Sequence, residues 1–195
     1  MKKLFGLLFA ILLISGLFEM SEAGKPDPSQ PVFVQEFLGQ LDYIEGRLTQ
    51  LADAMPQEIY NWRPGSGIRS VGEVYLHCSF ANFMWNSLCG GSVPEDVNFV
   101  MDPSKIHEWD TQTTDKTEII AMMKRSFNVM RETANSMTAE DLEKEVNFFD
   151  MKFSLRNFLI TGLNHLHEHL GQSIAYARMN GVTPPWSVQN EGSEG

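Results

Sequence analysis

Four stretches of the chain repeat apolar residues at the three-to-four-residue spacing of an amphipathic α-helix. Ser70 and Glu73 form the sequence signature of a capping box at the start of the second stretch. Thr114 or Asp115 is expected to cap the third, and Ser154 the fourth. The pattern therefore predicts an all-α protein built as a four-helix bundle. In chain order, the four predicted helices cover residues 32–54, 71–88, 115–130 and 155–180.

The connections between these helices differ in length. Residues 92–114 are irregular and polar, and they form a longer connection than a bundle needs, which is typical of a functional loop. Residues 145–153 alternate weakly between apolar and polar positions. We therefore expect a small β-hairpin around Asp150 and Met151, just before the last helix.

The first residues have the composition of an export signal. Lys2 and Lys3 precede an apolar run over residues 4–18, and Ser21 and Ala23 are small residues at the positions that a signal peptidase recognises. The apolar run is short for a membrane span, although an uncleaved anchor is the alternative. Cleavage would make the mature protein periplasmic or secreted, without a membrane anchor. The predicted signal peptide, leader, helical domain and flexible tail are residues 1–23, 24–31, 32–186 and 187–195.

Charge and cysteine content narrow the range of partners and chemistries. The chain has a net charge of −10 and no basic patch, so nucleic acid is not expected as a partner. Cys78 and Cys89 lie in one predicted helix, where their separation spans roughly 16 Å of rise. Because a disulfide cannot bridge that distance, we expect two free, buried thiols.

Three of the five histidines lie in residues 165–169, on the last predicted helix. His165 and His169 are four residues apart and share a face, as two imidazoles that bind one metal require. His167 points roughly 200° away from His165 and cannot join them. His77 lies mid-way along the second helix, and facing helices of a bundle are about 8–10 Å apart. His77, His165 and His169 are therefore candidate ligands of one divalent metal with an open coordination position.

The sequence is also compatible with other interpretations of these histidines and their neighbours. A histidine pair at this spacing also arises by chance, as ordinary surface or core residues. Glu168 is misplaced for a His-Glu-x-x-His motif, so a zincin-type peptidase is not supported. Glu73 could orient His77 or act as a base, although its place in the capping box explains it more simply. In the long loop, His107 and Trp109 are candidates to shape a pocket.

Two segments carry a resemblance to a known family. Residues 62–85 have the sequence WRPGSGIRSVGEVYLHCSFANFMW, and residues 163–186 have the sequence LNHLHEHLGQSIAYARMNGVTPPW. Both resemble the DinB-like superfamily, also called DinB/YfiT. In that family the first segment supplies one metal-binding histidine, which here is His77. The second resembles the family pattern His-x-x-x-His-Arg-Gly-Gln, which supplies His165 and His169.

The resemblance implies a four-helix bundle, often a homodimer, with a divalent metal such as zinc or nickel on the three histidines. Characterised members of the family include thiol-dependent S-transferases and some hydrolases. A metal-dependent hydrolase or transferase with a small-molecule substrate is therefore expected, in which the metal acts as a Lewis acid. An exported protein fits a hydrolase at least as well, because low-molecular-weight thiols are chiefly cytosolic. The alternative is a non-catalytic bundle that is stapled by metal or binds a ligand. The chain departs from the family at Leu170, where arginine is common; this alters contacts around the site but leaves the ligands intact.

Overall fold

The computed structural model describes residues 29–188 of the chain. The predicted signal peptide, most of the predicted leader and residues 189–195 of the predicted tail lie outside this range. The described part is mostly helical, as predicted, and none of its helices is both long and apolar enough to cross a membrane. It contains α1 (Val32–Ala54), α2 (Val71–Leu88), α3 (Ile106–Asp110), α4 (Lys116–Asn135), β1 (Glu145–Phe148), β2 (Met151–Ser154), α5 (Leu155–Met179) and α6 (Pro185–Val188).

Side-chain caps fix where the long helices begin. The backbone N–H of Glu73 donates to the Ser70 hydroxyl at 3.3 Å, and the Glu73 carboxylate accepts from the Ser70 N–H at 2.8 Å. This is the predicted capping box, which satisfies two backbone donors at the start of α2. Asp115, of the two candidates, caps α4 by accepting from the N–H of Glu118 at 3.0 Å. Ser154 caps α5 in the same way.

The four long helices pack in pairs around one apolar core. α2 contacts both α4 and α5, and α1 contacts the same two helices. Fourteen of the eighteen residues of α2 are buried, so α2 is the central element and its one histidine must lie inside the protein. α1 instead buries a single stripe at helical spacing. That stripe contains Val34, Phe37, Leu41, Ile44, Leu48 and Leu51.

The loop between α1 and α2 is tied to the first turn of α2. The N–H of Val71 donates to the Trp62 carbonyl at 3.0 Å, and the N–H of Gly72 donates to the Tyr60 carbonyl at 2.9 Å. A Cβ atom at Gly72 would come within 3.3 Å of that carbonyl and 3.0 Å of the Ile119 side chain. Glycine therefore allows the loop and α4 to close on α2, which fixes the position of the site-bearing helix.

The long connection after α2 is more ordered than the sequence pattern indicated. It forms two 3₁₀ turns, Glu95–Val97 and Pro103–Lys105, followed by the short helix α3. The indole N–H of Trp109 donates to the Leu76 carbonyl at 2.9 Å and is buried. This contact holds α3 against α2 and brings Asp110, the last residue of α3, into the interior.

The predicted β-hairpin is present before α5. β1 and β2 are antiparallel, and Phe148 pairs with Met151 across a two-residue turn. The turn residues Phe149 and Asp150 have φ angles of 46° and 60°. A tight hairpin turn requires such left-handed residues, usually Asn, Asp or Gly, and a bulky aromatic residue is rare there.

Both cysteines are free thiols, as predicted. Cys78 is buried in α2, as predicted, whereas Cys89 caps the end of that helix and is only half-buried, because the helix ends at Leu88. Burial raises the pKa of each thiol to about 12. Because the thiolate is the reactive form, neither cysteine is a nucleophile at neutral pH.

Candidate metal centre

α2 and α5 bring together the three histidines that the sequence singled out. One ring-nitrogen atom from each of His77, His165 and His169 lies within 4.8 Å of the others. Their ring centroids are 4.5–5.4 Å apart. His167 does not join them: its side chain is exposed, and its Nδ1 lies 2.8 Å from the Leu163 carbonyl. The helical spacing argument is therefore confirmed for both the pair and the excluded neighbour.

A chain of hydrogen bonds fixes the tautomer of His169. The carbonyl of Arg69 can only accept, so the Tyr176 hydroxyl, at 3.2 Å, donates to it. That hydroxyl accepts from the Gln172 amide N–H₂ at 2.8 Å, which leaves Gln172 Oε1 as an acceptor. Oε1 lies 2.9 Å from Nδ1 of His169, so Nδ1 carries the proton. Nε2 of His169 therefore keeps the lone pair that a metal would use.

A buried carboxylate faces His77. Asp110 Oδ1 lies 3.5 Å from Nδ1 of His77, and each atom is buried without another hydrogen-bond partner in the described chain. The other carboxylate oxygen accepts from Nε of Arg69 at 2.7 Å, which holds Asp110 in place. Carboxylates in this position orient metal-binding histidines and increase their basicity. Because Asp110 faces Nδ1, Nε2 of His77 is the ring nitrogen that remains for a metal.

His165 is held by packing. The Trp85 ring lies 5.1 Å from the His165 ring, centroid to centroid. A Cβ atom at Gly162 would lie 3.2 Å from Trp85, so this glycine lets the indole lie close against α5. Nε2 of His165 is buried and has no hydrogen-bond partner among residues 29–188. A buried nitrogen without a partner is costly, and a metal ligand role accounts for it.

The surroundings keep the two histidines of α5 neutral. Burial, followed by the neighbouring His169, His77 and Arg69, lowers the pKa of His165 from 6.5 to about 3. Burial also lowers the pKa of His169, against the opposing effect of its hydrogen bond to Gln172. Neutral imidazole is the form that binds metal, so burial favours the metal-binding form of both residues.

The donor set fits a divalent transition metal. Because a zinc–nitrogen bond is about 2.1 Å long, two ligands of one ion lie at most about 4.2 Å apart. Small rotations of rings that now lie within 4.8 Å meet this limit. Three imidazole nitrogens suit zinc, nickel, iron or copper, and suit magnesium or calcium poorly.

An apolar cavity of about 480 Å³ opens beside the cluster. His77 and His165 form part of its wall, so the cavity reaches two of the three candidate ligands directly. Thr161, Asn164 and Glu168 line it from α5. The remaining wall comes from α2, the long connection and the hairpin, through Phe80, Ala81, Met84, Trp85, Pro103, Ile106, Phe148 and Phe149.

A second cavity, of about 680 Å³, is lined by charged and polar side chains. Arg63, Arg69 and His107 line it, together with Asp110 and Gln172, the residues that orient two of the histidines. Pro103 and Ile106 contribute to both cavities and separate them. The histidine cluster therefore lies between an apolar space and a charged one.

The two loop residues that were candidates to shape a pocket lie in different places. Trp109 packs in an aromatic cluster with Phe80, Phe83 and Phe99 and does not line the apolar cavity. Of the two cavities beside the histidine cluster, His107 lines only the charged one.

Glu73 has the capping-box role that the sequence favoured, and two other site residues were not predicted. Glu73 stays in the capping box and pairs with Arg63 at 2.6 Å, while Asp110 takes the position beside His77. Asp110 and Phe149 were not predicted, and only the alternation around the hairpin hinted at the latter.

Comparison with known proteins gives the family of the chain and solved structures of similar fold. Residues 40–173 match the profile of the DinB superfamily. The crystal structure of a DinB-like protein from Bacillus cereus has a TM-score of 0.65 and 22% identity, and the alignment covers 77% of this chain and 95% of that one. A DinB-like protein from Bacillus subtilis has a TM-score of 0.58 and 18% identity, with 76% and 93% covered. No curated protein sequence matches the chain. Because the profile spans more than half of its length, this chain belongs to the DinB superfamily.

Proposed function

We propose that this chain is an exported, metal-dependent hydrolase or transferase that acts on a small molecule. His77, His165 and His169 would hold one divalent transition metal, zinc or nickel. The observation that carries the proposal is the close approach of their ring nitrogens, within 4.8 Å, with the proton of His169 held on the far side of its ring. A metal bound there supplies a Lewis acid at the reacting bond.

The open cavity favours an enzyme over a metal that only staples α2 to α5. Structural metal sites are closed by four protein ligands, whereas catalytic sites keep a position free for substrate or water. Three histidines form this cluster, and two of them line the apolar cavity. The same contacts support the four-helix bundle, since α1, α2, α4 and α5 each pack against two of the others.

Residues around the histidines have separable roles in this proposal. Asp110 and Gln172 orient His77 and His169. Trp85 covers His165 and excludes water from one side of the ring. Glu168 lines the cavity and presents a carboxylate that is able to accept a proton from a bound substrate.

Each of the three histidines should be needed for metal binding. His77→Ala, His165→Ala and His169→Ala are each expected to remove most of the zinc or nickel that wild-type protein retains, because two imidazoles rarely hold such an ion tightly. His167→Ala is the matched control, since His167 points to a different face of the same helix. Metal content per chain, measured by plasma mass spectrometry after dialysis, gives the result. Equal loss from His167→Ala and His165→Ala, with retention by His77→Ala, would rule out the interhelical site.

Asp110 should strengthen metal binding through His77. Asp110→Asn removes the negative charge beside Nδ1 of His77 and is expected to weaken zinc affinity by about 10–100-fold. Glu73→Gln is the control, because it neutralises a carboxylate of α2 that belongs to the capping box. Competition with a chromophoric chelator measures both affinities. Equal affinities for the Asp110→Asn variant and wild-type protein would show that Asp110 does not support the ligand.

Metal-free protein should lose stability as the pH falls below 6.5. The folded-state pKa of His165 is about 3, against 6.5 ordinarily, so the unfolded chain binds more protons between these values. The free energy of unfolding should therefore be highest above pH 6.5 and decrease toward pH 3. Urea unfolding of chelator-treated protein at several pH values measures this. His165→Ala should flatten the dependence and His167→Ala should not; identical slopes in all three proteins would contradict the assignment.

Export is testable independently of the metal. The order of basic, apolar and small residues in the first 23 positions supports cleavage after Ala23. Intact mass of protein recovered from the periplasm or medium should correspond to a chain that begins at Gly24. Recovery there of a chain that still carries Met1 would show that the signal is not cleaved.

A further inference from the structure

The apolar cavity beside the histidines has an uneven distribution of charge. In the part of the chain that the structure describes, neither lysine nor arginine lines it. Four aromatic side chains do, two from α2 and two from the hairpin: Phe80, Trp85, Phe148 and Phe149. The ring centroids of Trp85 and Phe148 lie 6.0 Å apart, and those of Phe148 and Phe149 lie 4.4 Å apart, so these three rings form a continuous wall. Such a wall fits a flat or bulky apolar body.

Apart from the histidines, Glu168 is the charged residue of this cavity. No ion pair within residues 29–188 involves its carboxylate. Glu168 is exposed and stands one turn after Asn164 on the same face of α5, at the rim. The rim therefore offers a negative charge and an amide, while the charged cavity beyond Pro103 and Ile106 contains the arginines.

The turn of the hairpin places Phe149 at this cavity at a conformational cost. Its φ angle of 46° is unfavourable for a bulky residue, and its side chain is 68% exposed. An exposed aromatic side chain in a strained conformation does not stabilise the apolar core. Strained residues concentrate at ligand-binding positions, where the ligand contact justifies the cost.

We propose that this cavity binds a substrate with an apolar, ring-sized body that carries no negative charge. The proposal rests on the proposed metal function, because the reacting group of that substrate would point toward His77 and His165. A cavity of about 480 Å³ accommodates a small organic molecule. The neutral or cationic character follows from Glu168, from the aromatic faces and from the absence of a cationic side chain in the described wall.

An anionic body is disfavoured for two physical reasons. An anion that enters an apolar cavity loses its hydration, and the aromatic wall offers no cationic side chain in return. The proposed metal would attract a negative charge only at the reacting group, which would lie against His77 and His165. Glu168 then adds repulsion at the rim, where it is screened only partly by solvent. A neutral ring system incurs neither penalty and gains the full burial of its apolar surface.

Two fluorescent probes with one skeleton test this selectivity. N-phenylnaphthylamine is neutral, and anilinonaphthalene sulfonate adds a sulfonate to nearly the same ring system. Fluorescence titration of the mature chain, treated with chelator so that no metal attracts the sulfonate, should show tighter binding of the neutral probe, by about ten-fold. Metal content is measured before the chelator is added. Glu168→Gln should narrow that difference by improving the binding of the sulfonate. Equal or tighter binding of the sulfonate by the wild-type protein would overturn the proposal.

A variant pair locates the binding in the cavity. Phe149→Asn removes an aromatic ring from the cavity wall and should weaken the binding of the neutral probe by about five-fold. Asn adopts left-handed conformations readily, so the hairpin should keep its turn and the melting temperature should not fall. Met151→Asn is the matched control, because Met151 is an exposed apolar residue of the same hairpin that does not line the cavity. Equal losses from both variants, or none from Phe149→Asn, would place the probe elsewhere and refute the inference.

The two proposals fail in different ways. Metal content is measured on the same samples, and Phe149→Asn should retain the zinc of wild-type protein because Phe149 is not part of the histidine cluster. Retained zinc with no selective probe binding would refute the cavity assignment alone. Selective probe binding without zinc in wild-type protein would instead refute the metal function.

Discussion

Three imidazole rings share one space between α2 and α5, and burial favours the neutral form of the two that belong to α5. Protonation of any two would place like charges within about 5 Å of each other in a poorly solvated interior. The lowered pKa values of His165 and His169 express this constraint. The surrounding structure is consistent with it: neutral hydrogen-bonding groups face His169, and the carboxylate beside His77 is already paired with an arginine.

The central position of α2 in the bundle follows from the need to hold His77 in this poorly solvated interior. A helix that is buried on nearly all sides can place a histidine in the interior, and its position must then be fixed at both ends. The capping box and the backbone bonds to residues 60 and 62 fix its first turn, and α3 packs against its middle through Trp109. The features that look purely structural therefore determine where His77 meets α5.

Local chemistry explains which parts of the site could be predicted from the sequence. The spacing of His165 and His169, the capping box at Ser70 and the alternation of the hairpin are each encoded within a few neighbouring residues. The contact between Asp110 and His77 is not local, because it depends on how the long connection folds back over α2. The position of Trp109 also depends on this fold of the long connection. An indole in a polar loop is compatible with a pocket wall or with the core, and only the tertiary contact with Leu76 decides between them.

Arg69 links the two groups that orient the histidines. Its guanidinium holds Asp110, while its backbone carbonyl accepts from Tyr176 and so sets the direction of the hydrogen bonds that reach His169. This residue directly precedes the N-cap of α2 and ends the loop that is tied to the first turn of that helix. Ligands on two helices thus share one point of attachment. Binding at the histidine site and ordering of that loop are therefore coupled, so that a ligand of the histidines also stabilises the loop. Conversely, a change in the loop affects the positions of both His77 and His169.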